Sequence, residues 1–361
     1  MLRSFTLKNF RCFQNLTLEP LERVNLIAGK NNVGKTSLLE AIFIFINPTN
    51  PESLFQINRL RRITKSSQFK EVEEMKLFFF DQDIDKVIRL SSVGEDNLQR
   101  SLRIRFPELG ETQLSILAPL YIDNDSDFIG NESLITENRQ YSGFLMEYED
   151  PTSNSSFISI YVTPDRGLTS RYRRQKFPVG IYLTTSTRSP REDAERFSNL
   201  ERVGRQDEVL TTLRLLEPRL QRLTLLVVER EPIIHGDIGM SELVPLPLMG
   251  EGIGRLFSII LAIANAKGGT ILIDEIENGL HYSVLTDVWK AIADAARRAD
   301  VQIFATTHSQ ECIRAAHKAF ESSDKYDFRY HRLERVKDEI RTVTYDQETL
   351  ATSDEMNLEM R

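Results

Sequence analysis

The sequence predicts an α/β fold: a mixed sheet with helices on both faces, a strand-rich region inserted into it, and no long coiled coil. Three observations predict it. The stretch Gly29-Lys30-Asn31-Asn32-Val33-Gly34-Lys35-Thr36-Ser37 fits G-x-x-x-x-G-K-[ST]. It lies between an apolar run, Val24 to Ala28, and the residues Leu38, Leu39, Ile42, Phe43 and Ile46, which recur at helical spacing. Thr270 to Glu275 reads as a buried strand ending in two carboxylates, and Val301 to His308 as a second buried strand ending in a histidine. Between them Val284, Leu285, Val288, Trp289, Ile292 and Ala295 mark the core face of a helix, so strand-helix-strand order implies parallel pairing.

The loop explains itself chemically. Gly29 and Gly34 remove side chains that would hold backbone N–H groups away from phosphate oxygens, and the helix that follows points its positive end at them. Asn31, Asn32, Val33 and Ser37 complete the phosphate-binding set. Lys35 is expected to face solvent in the empty loop and to reach the β- and γ-phosphates, with the Thr36 hydroxyl as a ligand of Mg²⁺. In open α/β sheets ligands bind beyond the carboxyl ends of the strands, and three such ends carry the loop, Asp274-Glu275 and His308. Asp274 suits a Mg²⁺ ligand, Glu275 a general base toward water, and His308 a hydrogen-bond donor to the γ-phosphate.

In chain order, Leu2 to Leu18 reads as two antiparallel strands joined at Asn9-Phe10-Arg11-Cys12-Phe13. Arg11 there is either a solvated turn charge or a phosphate contact. Arg59, Arg61, Arg62 and Lys65 form a basic cluster that reads as a solvated face. Short alternating runs at Lys76 to Phe80, Lys86 to Leu90, Leu102 to Phe106 and Phe157 to Val162 suggest strands, with Tyr121 to Ser133 and Asp150 to Ser156 as loops. Arg166, Arg171, Arg173, Arg174 and Lys176, with Tyr172 interleaved, are either a solvated hairpin or a contact to a nucleic-acid backbone. Helices are expected over Arg191 to Val203, Asp207 to Leu216 and Ile253 to Ala266, and a strand over Thr224 to Val228. The expected organisation is an ATPase domain split into 1–70 and 186–345, a strand-rich insertion at 71–185 and a tail at 346–361.

The 361 residues, 40% of them hydrophobic, suffice for a substantial core. A net charge of −7 argues against a globally basic nucleic-acid binder while leaving room for a local patch. Cys12 and Cys312 form neither a disulfide framework nor a zinc spacing, which suits a cytoplasmic protein. With no apolar signal core at the N-terminus and no long apolar run, the expectation is a protein without a membrane anchor.

These motifs together resemble the ATP-binding-cassette ATPases of the RecF, SMC and overcoming-lysogenization-defect type. The resemblance rests on Asn9-Phe10-Arg11, on Met249 to Arg255 as a signature segment, on Ile271 to His281, and on Thr306-Thr307-His308-Ser309. It covers both ends of the chain; the middle carries no motif. It implies a P-loop NTPase fold of ABC-ATPase type and a Mg²⁺-dependent hydrolysis of ATP. It also implies a homodimer in which the signature of one protomer, Gly250 and Gly252 included, closes on the ATP of the other, with Glu277 to His281 as the dimer-facing loop. Gly250 stands where the family usually has Ser, which implies a weaker contact across the dimer and slow turnover. Gln56 and Gln82 both stay open as the Mg²⁺-sensing glutamine. Tyr345 to Arg361 is too short for a carboxylate-rich nuclease domain, so the expectation is a separate effector or nuclease protein as partner, with DNA as a further one, in DNA repair or phage defence. A nucleotide-switched scaffold is the competing reading. A transporter motor lacks support from the Asn-Phe-Arg start, and a small-molecule kinase would lack the Asp-Glu strand end.

Overall fold

The computed structural model describes residues 1–48, 50, 52–61, 74–106, 128–129, 142–152, 156–163, 167–173, 177–185, 190–356 and 359. Strands β1 (Leu2–Phe10) and β2 (Phe13–Leu18) form the antiparallel hairpin, and β3 (Val24–Gly29) runs through the phosphate loop into helices α1 (Lys35–Ile46) and α2 (Glu52–Leu60). Then come β4 (Ile88–Gly94), β5 (Gln99–Arg105), β6 (Phe128–Ile129), β7 (Ser142–Glu149), β8 (Ser156–Thr163), β9 (Gly167–Arg173) and β10 (Gly180–Leu183). Helices α3 (Pro190–Glu201) and α4 (Gln206–Leu213) precede a small sheet of β11 (Arg222–Val228), β12 (Glu231–Asp237) and β13 (Val244–Pro245). The chain ends with α5 (Glu251–Asn265), β14 (Thr270–Ile273), α6 (Leu285–Ala299), β15 (Gln302–Thr306), α7 (Gln310–Glu321), β16 (Phe328–Val336), β17 (Glu339–Tyr345) and α8 (Gln347–Glu355).

The central sheet has the order β10-β14-β15-β3-β16-β17, parallel throughout except for β17. Its inner strands β3, β14 and β15 are buried and largely apolar on both faces, as strands covered on both sides must be. Leu26, Ile271, Ile273, Ile303 and Ala305 face a core shared with α5, α6 and α7, whereas Ile27, Leu272 and Phe304 face a second core shared with α1. A second, eight-stranded sheet of order β2-β1-β4-β5-β7-β8-β9-β6 closes that second core from the far side. Helix α1 therefore lies between two sheets, and every residue from Ser37 to Phe45 is buried. That explains why the sequence LLEAIFIF lacks a polar stripe. It is a mixed α/β fold, and no long coiled coil interrupts the described residues.

Two local readings change. Lys76 to Phe80 is not a strand: it forms a turn leading into a 3₁₀ segment, Phe80–Gln82, and only Phe79 bridges to Phe10. Phe78 and Phe79 are both fully buried, which an alternating strand with one wet face cannot achieve for neighbours. Phe78 packs on Phe10 and Phe79 on Phe106. The strand expected from Lys86 begins at Ile88, because Lys86 is tied back to Asp83 in the preceding turn at 3.2 Å. The strands drawn from the middle of the chain extend the N-terminal hairpin, β4 pairing with β1, while β10 joins the parallel sheet beside β14.

Because α1 is clamped on both faces, truncating it should be costly. Ile42→Ala is expected to destabilise the protein by about 2–5 kcal/mol, read as a lowered midpoint in urea unfolding. A loss under about 1 kcal/mol would mean that the two layers collapse around the gap.

Candidate nucleotide-binding and hydrolysis site

Parallel register brings Gly29, Thr306, Asp274 and Thr184 to one edge of the central sheet, since Ile27 lies opposite Thr306 and Ile273 lies opposite both Ala305 and Leu183. The loop between β3 and α1 is built tightly. Gly34 has φ 101°, and a Cβ there would stand 2.6 Å from the Phe13 ring and 2.7 Å from the Cys12 sulfur. The β1–β2 turn thus leans on the loop, and only glycine fits both the angle and the space. Gly34 also stands at the N-cap of α1 and supplies no side-chain cap. The first α1 bond runs from Leu38 N–H to Gly34 O at 2.9 Å, so the N–H groups of Lys35, Thr36 and Ser37 have no intrahelical acceptor. Three uncapped donors at a helix N-terminus suit an anion.

Lys35 does not project into solvent as its sequence position suggests. Its Nζ donates to Gly29 O at 2.6 Å and to Lys30 O at 3.2 Å, folding the side chain across the loop. Burial lowers its pKa below 10.5, against the opposing pull of Asp274, Glu275 and Glu277. The ammonium is thereby parked on carbonyls where a phosphate can replace them.

Asp274, only 7% exposed, ties three segments together. Its Oδ2 accepts from Thr36 Oγ1 at 2.9 Å and its Oδ1 from Thr306 Oγ1 at 2.5 Å. Thr306 Oγ1 in turn accepts from the Glu275 N–H at 2.8 Å. Glu275, directly after Asp274, adopts φ 48°, in the left-handed region. Arg255 from α5 fastens the same strand ends. Its Nη2 donates to Asp274 O at 2.6 Å and its Nη1 to Thr184 O at 3.0 Å. Sequence reasoning missed Thr306 as a link and Arg255 as a clamp, although both lie inside segments it singled out.

His308 sits at the mouth, 55% exposed, with Nδ1 at 3.2 Å and its N–H at 3.0 Å from Glu277 Oε1. Gly250, with φ 114°, is exposed at the start of α5, with nothing near a Cβ position. Gly252 is different: a Cβ would stand 2.5 Å from Gly279 O, so the start of α5 rests directly on the loop after Glu275. Arg11 is drawn away from the loop mouth, its Nε 2.7 Å from Glu40 Oε2 and its side chain 10% exposed. Gln56 and Gln82 are both exposed, and among the described residues no hydrogen bond joins either to the loop or to Asp274. Arg166, Arg174 and Lys176 lie outside the described residues, as do the side chains of Arg171, Tyr172 and Arg173 on β9.

Among the described residues no three His, Cys, Asp or Glu side chains converge on one point. A divalent cation here would take most of its oxygen ligands from nucleotide phosphates, joined by Thr36 and Asp274, as suits Mg²⁺. The hydroxyl-carboxylate pair, the uncapped N–H groups and the parked lysine fit a metal-bound nucleotide.

Fold and site together define a P-loop ATPase of the RecF/SMC group, of the ATP-binding-cassette type. Residues 24–314 match the family described as "AAA domain, putative AbiEii toxin, Type IV TA system", and the chain belongs to that family. An "ATP/GTP phosphatase" of Helicobacter pylori is 24% identical over 358 residues, covering 90% of each chain. The DNA replication and repair protein RecF of Pseudoalteromonas translucida is 36% identical over 98 residues, 27% of this chain and 26% of that one. Among solved structures, an Smc head bound to the C-terminal winged-helix domain of ScpA superposes with a TM-score of 0.51 at 12% identity, covering 97% of this chain and 99% of the other. The Smc head of Pyrococcus furiosus with the C-terminal domain of ScpA also gives 0.51, at 11% identity, over 99% of both chains. These two establish the fold. No described helix is long and apolar enough to cross a membrane.

A lysine that holds phosphate must be protonated, and burial lowers the pKa of Lys35 below 10.5. Phosphate favours the charged form, so affinity is greatest below the pKa of the free protein and falls as pH rises through it. Nucleotide dissociation constants measured from about pH 7 to about pH 10 should therefore begin to rise before an ordinary lysine titrates. A flat profile over that range would remove Lys35 from phosphate binding.

Proposed function

We propose that this protein is a Mg²⁺-dependent ATP hydrolase whose ATP-gated dimerisation controls a partner, in DNA repair or phage defence. The observation that carries the reading is the chain of hydrogen bonds from Thr36 through Asp274 and Thr306 to the Glu275 backbone, which fixes the phosphate loop and the two carboxylates as one unit. The name of the Helicobacter pylori relative, similar over most of its length, supports a nucleoside triphosphatase. The toxin–antitoxin term in the family description supports a role in defence, and the RecF relatives support one in repair.

The N–H groups of Lys35, Thr36 and Ser37 and the Lys35 ammonium hold the phosphate chain. Thr36 and Asp274 would hold Mg²⁺, which when bound neutralises phosphate charge. Glu275 accepts a proton from water as its oxygen attacks the γ-phosphorus, the bond to the β–γ bridging oxygen breaks, and ADP carries that oxygen away. His308, held by Glu277, donates to the γ-phosphate oxygens. Gly252 and the N-terminus of α5, with Gly250 exposed ahead of it, supply backbone N–H groups to the γ-phosphate of a second copy, so that two composite sites form in a homodimer. The nucleotide-switched scaffold stays the competing reading, since glycine at position 250 offers no hydroxyl to that phosphate.

Glu275→Gln separates the steps. The amide can still orient water but cannot take its proton, so ATP should bind and persist while phosphate release falls at least about a hundredfold. Light scattering with ATP and Mg²⁺ should then report a stable dimer that wild type forms only transiently. Hydrolysis at the wild-type rate would assign the base elsewhere, and an ATP-bound variant that stays monomeric would refute the composite site.

A further inference from the structure

Glu40 lies on α1 three residues beyond Ser37 and four beyond Thr36, on the same helix face, and is 1% exposed. A carboxylate so deep needs partners on both oxygens. Arg61 Nε donates to Oε1 at 2.5 Å, and Arg11 Nε stands 2.7 Å from Oε2. Burial pushes the Glu40 carboxyl up, and the two guanidiniums pull it back. Two guanidiniums around one carboxylate leave one positive charge in surplus behind the phosphate loop.

The two arginines differ in freedom. Arg11 is confined, its guanidinium 4.6 Å from the centre of the Phe78 ring and its backbone N–H bonded to Phe78 O at 2.8 Å. Arg61, just past the end of α2, keeps 35% of its side chain exposed, and its Nη2 stands 3.4 Å from Ser37 Oγ. Ser37 carries one of the uncapped N–H groups. Ser37 also directly follows Thr36, whose own hydroxyl touches Asp274, so on the nucleotide reading the phosphate seated at Ser37 is an inner one, common to ATP and ADP.

We infer that Arg61 is a phosphate-contacting residue of the nucleotide site, held beside Ser37 by Glu40 so that its planar fork meets the inner phosphates on the N–H groups of Thr36 and Ser37. This rests on the nucleotide-binding reading above. Arg61 belongs to the basic cluster that reads from sequence as a solvated face. Glu40 and Arg11 act through it: Arg11 occupies one carboxylate oxygen and leaves the other to aim Arg61.

The test is binding of fluorescent ATP and ADP analogues to wild type, Lys35→Ala, Arg61→Gln and Arg61→Lys at two salt concentrations, with thermal unfolding of the nucleotide-free proteins alongside. Arg61→Gln should lose about tenfold in affinity for ATP and ADP alike, with a flatter salt dependence, and Arg61→Lys should recover part of it. In steady-state hydrolysis the loss should appear in KM more than in kcat. Arg61→Gln binding both analogues like wild type, while Lys35→Ala binds neither, overturns the inference and leaves the nucleotide site standing. A lowered unfolding midpoint with unchanged affinity makes Arg61 structural support and overturns it too. If Arg61→Gln does not fold, Arg61→Lys decides: about a threefold loss for both analogues supports the contact, and wild-type affinity overturns it. Wild type that binds neither analogue overturns the nucleotide reading and this inference with it.

Discussion

Both carboxylate oxygens of Asp274 are spoken for, one by the hydroxyl of the loop helix and one by the hydroxyl of the next strand. A buried carboxylate with two short hydrogen bonds is well stabilised only while both donors hold their positions. The relative height of β3, β14 and β15 is therefore set at their carboxyl ends as well as by the ladders below. Thr306 extends the constraint to the Glu275 backbone, and Arg255 extends it to Thr184 beyond β10. Four neighbouring strand ends are thus joined by side chains, in the part of the sheet where ladder hydrogen bonds run out.

Helix α1 transmits that arrangement into the body of the protein. Its N-terminal turn is polar and uncapped, while the turns behind it are buried between two sheets. The eight-stranded sheet is then more than an appendage, since it forms the wall that keeps the loop helix dry. The Arg11–Glu40–Arg61 cluster carries charge into this layer, and its position explains a helix face that mixes a carboxylate with Leu, Ile and Phe.

Much of this was legible in the sequence, for identifiable reasons. The loop, the Asp274-Glu275 strand end and His308 are local patterns: their chemistry is written in adjacent residues flanked by apolar runs. Thr306 and Arg255 lie inside legible motifs, but their roles are not legible there, because those roles are hydrogen bonds to residues 32 and 19 positions away. The bond from Arg61 to Glu40 is hidden from the sequence for the same reason, its partner lying 21 residues earlier on α1. Lys76 to Phe80 shows the opposite failure: a short apolar run was assigned by its alternation, whereas two adjacent phenylalanines were buried by tertiary packing. The join between the N-terminal hairpin and the later strands is a non-local pairing that no periodicity announces.

The contact of Gly252 with Gly279 leaves no room for a methyl group, so the two backbones touch without any side chain between them. Gly279 is four residues past Glu275, in a chain of short turns, and Gly252 lies in the first turn of α5. Side chains absorb small displacements by changing rotamer; two backbones in van der Waals contact cannot. A push of the segment after Glu275 toward α5 therefore meets backbone, where no side chain can yield, and the tip of that helix and the turn after the second carboxylate share one wall.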